Sequence, residues 1–156
     1  MRIIHITRRR LGLSALGLAA VAALAVVLAG CFARKPAQPE GAVTAPTDAD
    51  RTAYLESLGW QVDAAPLETL DLQLPKDLSQ GWSDYAALQT AQGLPFADHG
   101  GHTVRRYTYT VTNYPGITKG VQANLYLWGD EIIGGDIIAT GPNGFQTGLA
   151  FPGENA

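Results

Sequence analysis

The 156-residue chain is 46% hydrophobic and 16% charged, with 18 Gly, 9 Pro and a single Cys. That length fits one domain of ordinary size, and the lone Cys excludes an internal disulfide framework and any multi-cysteine zinc or iron–sulfur site. A net charge of −3 gives no footing for a nucleic-acid partner.

The low charge content comes mostly from one end. Arg2, His5, Arg8, Arg9 and Arg10 form a basic start, and Leu11 to Ala29 contains no charged residue. A run of that length reaches about 28 Å as a helix, enough to cross a hydrocarbon core. Its end, Leu28-Ala29-Gly30-Cys31, resembles a bacterial lipobox. Small residues at 29 and 30 let an extended segment enter a signal peptidase, and the Cys31 thiolate is the nucleophile that takes up a diacylglycerol. The resemblance implies that residues 1–30 are removed and that the chain is held at the outer, extracytoplasmic face of the cell membrane. Two or more acyl chains anchor stably where one is marginal. The alternative is an uncleaved helical anchor with Cys31 incidental, which the long apolar run and the nearby Arg34 and Lys35 favour. Thr7-Arg8-Arg9-Arg10-Leu11 also loosely resembles a twin-arginine signal. Either anchor places the remaining chain outside the cytoplasm.

Residues 31–50 read as a tether, because Pro36, Pro39, Gly41 and Pro46 interrupt any helix and no apolar periodicity is present. Removing Arg2, Arg8, Arg9 and Arg10 leaves 7 basic residues against 14 acidic ones. Anionic head groups repel such a domain, so it is expected to stand off the bilayer.

Residues 51–150 read as one domain, with 151–156 a tail. A helix over Thr52–Leu58, capped by Asp48 or Asp50, stops at Gly59. Trp60–Val62 reads as a short strand. Leu67–Leu74 alternates, with Leu70, Leu72 and Leu74 on one face. Ser79–Ala91 is the second helix, with Trp82, Tyr85 and Leu88 at helical spacing. Leu94–Gly101 is a loop. Strands follow at Thr103–Thr112, Val121–Trp128, Glu131–Ile138 and Phe145–Ala150, with Gly129-Asp130 as a two-residue hairpin turn. Two short helices with about five strands joined by hairpins argue α+β, an antiparallel sheet covered on one face.

That hairpin turn pairs Leu127 with Ile132, Leu125 with Gly134 and Ala123 with Asp136, which sets Asp136 on the Leu125/Leu127 core face. Either Asp136 is buried with a partner such as Arg105, Arg106 or backbone N–H groups, or a bulge at Gly134-Gly135 turns it outward; the glycine pair favours the bulge.

Gly59-Trp60-Gln61-Val62, Leu74-Pro75, the Tyr85, Leu88, Gln89, Gln92, Gly93 series and Arg106-Tyr107-Thr108-Tyr109 recur in one order with Asn113-Tyr114-Pro115, Gln122-Ala123-Asn124-Leu125 and Ile133-Gly134-Gly135-Asp136. Over about residues 51–150 this resembles the bacterial domain of unknown function forty-eight thirty, found mainly in Gram-positive bacteria. The resemblance implies an exported, membrane-tethered domain and carries no activity, cofactor or catalytic residue. The chain departs from it at Ala97–His102, where two histidines stand.

Asp98-His99-Gly100-Gly101-His102 is the most chemical-looking stretch. His99 and His102 with a carboxylate such as Asp136 could bind a divalent metal, but a Gly-Gly loop does not preorganise ligands. Ser57, Ser79 and Ser83 lie in no nucleophile-elbow pattern. Tyr126 and Trp128 share the face opposite Leu125 and Leu127 with Asn124 and Thr108. If open to water, that face is of the polar, aromatic kind enriched at interfaces; a helix covering it is the alternative. The sequence therefore reads as a tethered extracytoplasmic binding module without catalysis or cofactor, its partner an envelope protein or peptide. A small metal-dependent hydrolase on the His99/His102 loop and a structural envelope spacer are the other readings.

Overall fold

A computed structural model describes residues 41–153. The leader, Leu28, Ala29, Gly30 and Cys31 lie outside the described residues, and within these no helix is long and apolar enough to cross a membrane. The chain runs α1 (Asp48–Ser57), β1 (Glu68–Gln73), α2 (Ser83–Ala91), a 3-10 turn (Phe96–His99), β2 (Thr103–Thr110), β3 (Val121–Trp128), β4 (Glu131–Ala139) and β5 (Phe145–Thr147). The strands form one antiparallel sheet in chain order. The fold is α+β, two helices on a five-stranded antiparallel sheet, as the pattern of elements predicts.

Several boundaries move for local reasons. Thr47, not Asp48 or Asp50, caps α1: its hydroxyl accepts the Asp50 N–H at 3.2 Å while the Asp50 carboxylate accepts the Thr47 N–H at 3.0 Å. This reciprocal box satisfies two backbone donors and starts the helix a turn early. Gly81 at φ +82° delays α2 to Ser83. Trp60–Val62 contributes only a bridge from Val62 to Val111. Residues 43–50, read as the end of the tether, fold onto the domain: Ile132 N–H donates to Val43 C=O at 2.8 Å and Ala45 N–H to Asp130 C=O at 2.8 Å. Phe151, read as tail, packs on Trp60 with ring centres 4.7 Å apart.

The helices lie on opposite faces of the sheet, so both faces are covered, not one. On the first, Tyr109, Ala123, Leu125, Leu127, Ile132 and Ile137 pack against Leu55 of α1, Trp60 and Leu149. On the second, Val104, Tyr126 and Ile133 meet Phe96 with Trp82, Tyr85 and Ala86 around α2. Both faces of β2 and β3 thus carry buried groups, and an alternation of apolar and polar residues does not mean apolar inside and polar outside here.

The β3–β4 register explains Asp136. Trp128 pairs with Glu131 and Leu127 with Ile132, but Tyr126 pairs with Gly134 and Asn124 with Asp136. Ile133 is the extra residue, so the bulge precedes the glycine pair. Gly134 and Gly135 serve close approach instead. A Cβ on Gly134 would lie 2.9 Å from the Phe96 ring, and one on Gly135 2.6 Å from Leu149 Cδ1 and 2.9 Å from the Asn124 carbonyl oxygen. The bulge does move Asp136 off the Leu125/Leu127 face, but α2 covers the other face and the residue is 1% exposed. It is both displaced and buried, a combination the sequence reading treated as alternatives.

The outer edge of β4 is closed by side chains where β5 does not reach. Gly135 N–H donates to Gln89 Oε1 at 2.8 Å, and Gln92 Nε2 donates to Gly135 C=O at 3.0 Å. At the other edge no described strand pairs with the outer side of β1.

Candidate functional site

The four residues expected to form one open face divide into three settings. Tyr126 is buried beneath α2, its ring 5.4 Å from Tyr85 and 5.6 Å from Phe96. Trp128, 44% exposed, stands apart at the hairpin end. Thr108 and Asn124 are buried too, but they lie where α2 no longer covers the sheet.

There the second face opens into a cleft of about 310 Å³, near the lower end of ligand-pocket sizes. Thr108 and Asn124 form its floor, the Thr108 hydroxyl donating to Asn124 Oδ1 at 2.7 Å. Glu68 and Arg106, an ion pair between neighbouring strands, line one side. Leu67, Gln122 and Ile138 complete the lining. The pair exists because β1 and β2 align Leu70 with Arg106 and Glu68 with Thr108, which leaves Glu68 one diagonal step from Arg106 on the same face. Buried Arg106 Nε has no hydrogen-bond partner among the described residues, and buried donors are ordinarily satisfied.

Asp136 adjoins this floor, cross-strand from Asn124. Its carboxylate accepts from Gln146 Nε2 at 2.6 Å and from the Tyr85 hydroxyl at 3.3 Å. Burial pushes the carboxyl above the usual range, and bonds from Gln146, Asn124 and Tyr85 and the Arg106 charge only partly oppose it. Burial, then the nearby Asp136 charge, raises the Tyr85 and Tyr126 phenols. The network ties α2 and β5 to the sheet centre. Of the partners anticipated for Asp136, Arg106 acts through its charge.

His99 and His102 come together, though not with Asp136. Their rings sit 5.9 Å apart and pack around Trp128 at 5.1 and 5.4 Å. His99 Nδ1 is 2.9 Å from Pro95 C=O, and His102 Nδ1 is 3.3 Å from His99 C=O. Among the described residues no group of three or more His, Cys, Asp or Glu side chains is placed to hold a metal ion.

The cleft can bind. Its amides, guanidinium and carboxylate offer donors and acceptors beside two aliphatic side chains. Its one hydroxyl, Thr108, donates to an amide oxygen, which is no general base, so no activated nucleophile lines it. Sequence reasoning reached Thr108 and Asn124 through strand alternation but missed Leu67, Glu68 and Ile138. Those depend on the β1–β2 register and on where α2 ends, which alternation alone does not fix. A Glu and an Arg on adjacent strands were the only available signal.

A family model described as "Domain of unknown function (DUF4830)" matches residues 54–137, from within α1 into β4 and including six of the seven cleft residues. No curated protein and no solved structure matches the chain. The matched segment is more than half of the chain, which belongs to the DUF4830 family of domains of unknown function.

Proposed function

We propose that this protein is an extracytoplasmic lipoprotein, tethered to the cell membrane through a diacylglycerol on Cys31, whose domain binds a short peptide segment of an envelope partner in the Arg106/Asn124 cleft. The observation that carries the binding reading is the cleft: a concave site with unsatisfied Arg106 Nε, neutral amides at Gln122 and Asn124, and aliphatic side chains at Leu67 and Ile138. That mixture suits a ligand alternating amide groups with a small apolar side chain. The anchor reading rests on the apolar run and the Leu28-Ala29-Gly30-Cys31 motif.

The binding reading is tested with full-length protein in lipid nanodiscs screened against a random peptide library. Enriched peptides are expected to lose about tenfold or more in affinity on Gln122→Ala or Leu67→Ala, a loss of about 1.4 kcal/mol or more. Both positions sit on the cleft lining, away from the Asp136 network. No enrichment, or equal affinity for the variants, would count against a peptide-binding cleft.

A further inference from the structure

We propose that β1 is a homodimer interface, two copies joining their sheets through antiparallel β1–β1 pairing about a two-fold axis at Asp71. The first support is the state of the edge. Proteins usually blunt an edge strand with charged side chains, Pro or a bulge, or cover it. The β4 edge is covered by Gln89, Gln92 and Val43. The six residues of β1, Glu-Thr-Leu-Asp-Leu-Gln, contain no Pro, their pairing with β2 has no register shift, and their two charges, Glu68 and Asp71, are already paired with arginines of β2. Among the described residues, two of the four large exposed apolar side chains, Leu67 at 62% and Leu70 at 40%, belong to this edge.

The second support is register. Leu74 N–H donates to His102 C=O, and Val111 N–H donates to Val121 C=O. Ladder bonds alternate along a strand, so even-numbered residues of β1 face β2 while the N–H and C=O groups of Thr69, Asp71 and Gln73 point outward. A second β1 must therefore match odd positions with odd ones. Alignments centred on Leu70 and on Asp71 overlap equally; the first sets Glu68 against Leu72, whereas the second sets Asp71 against Asp71, Thr69 against Gln73 and Leu70 against Leu72, matching like with like. The polarity of Thr-Leu-Asp-Leu-Gln, residues 69–73, is symmetric about that second centre. Leu70 meets Leu72 on the cleft face and Thr69 meets Gln73 on the other, while at the end of the overlap Glu68 meets Leu74.

The third support is charge. The described domain carries a large excess of acidic residues, yet at this edge Glu68 pairs with Arg106, and Asp71 is gripped by Arg105 through bonds of 2.6 and 3.0 Å. The edge is locally neutral, so two acidic copies meet there with least repulsion. The facing Asp71 carboxylates each bring their own guanidinium.

Full-length chains carrying Leu70→Cys and Leu72→Cys, mixed in detergent and oxidised, test the register. Opposed positions lie within the disulfide range of about 4.4–6.8 Å, whereas like positions are a diagonal step apart. The mixture should yield a disulfide joining positions 70 and 72, read by peptide mass, at least about fivefold above either variant alone. The parent chain reports the background from Cys31. Thr69→Pro removes an N–H that β2 does not use, and Pro is tolerated in edge strands at such positions. Placed in both partners it should abolish the cross-link while leaving the circular dichroism unchanged; Thr69→Lys is the substitute if the Pro variant unfolds. No cross-link above background, equal cross-linking within single variants, or a cross-link that survives both position-69 variants would overturn the proposal. So would a monomeric mass whose edge pairs only with added peptide.

Discussion

Asp136 holds the second face of the sheet together and charges a stability cost for doing so. Burial raises its folded pKa above the unfolded value of about 3.9. A carboxyl shifted in that direction contributes most favourably below the unfolded value, and the contribution is lost as pH rises through the folded one. Asp136→Asn keeps an acceptor for Gln146 Nε2 and does not titrate. The difference in Tm, variant minus wild type, is expected to grow by about 2–4 °C from pH 4 to pH 7; a flat or shrinking difference in thermal scans would contradict the assignment. Arg51 is the corresponding buried cation on the first face. Its Nε donates to the Tyr109 hydroxyl at 2.9 Å, its Nη1 to Ala45 C=O at 2.9 Å, and its guanidinium lies 3.7 Å from the Tyr107 ring centre. Neither role can be read from residue type, because an Asp in a Gly-Gly context and an Arg in a helix are ordinarily solvated.

Periodicity located both helices and the five sheet strands, but it also read a strand at Trp60–Val62 that contributes only a bridge, left the 3-10 turn Phe96–His99 as loop, and placed element ends less well. β3 and β4 carry dense apolar alternation around a Gly-Asp turn, and their existence and pairing were legible in the chain. The slip at Ile133 was not, since a bulge depends on what packs above it: Gly134 admits Phe96 and Gly135 admits Leu149. That reading makes the glycine pair a packing requirement. Gly135→Ala forces a Cβ against Leu149 and the Asn124 carbonyl and is expected to cost about 1–3 kcal/mol in urea unfolding. Gly153→Ala, with nothing within 4 Å, serves as the neutral comparison. Equal midpoints for the two variants would show that the sheet yields there. The same coupling explains the divided fate of Tyr126, Asn124 and Thr108: alternation put them on one face, but the length of α2 decides which is covered and which lines the cleft.

At the scale of the whole molecule, the family match places the domain among those of unknown function, and the proposed role combines an address with a cleft. The address was read from residues outside the described domain, the cleft from residues within it. Within the described residues, Val43–Ala45 joins the β3–β4 hairpin. The cleft, lined from β1 to β4, lies on the sheet face beside α2. The central claim is that this domain is presented at the membrane by a lipid on its only cysteine. Intact-mass spectrometry of the protein extracted from its own membranes tests that most directly. The account predicts a mature N-terminus at Cys31 carrying a diacylglycerol, with the mass of residues 1–30 gone. A chain beginning at Met1, or at an unmodified Cys31, would contradict it.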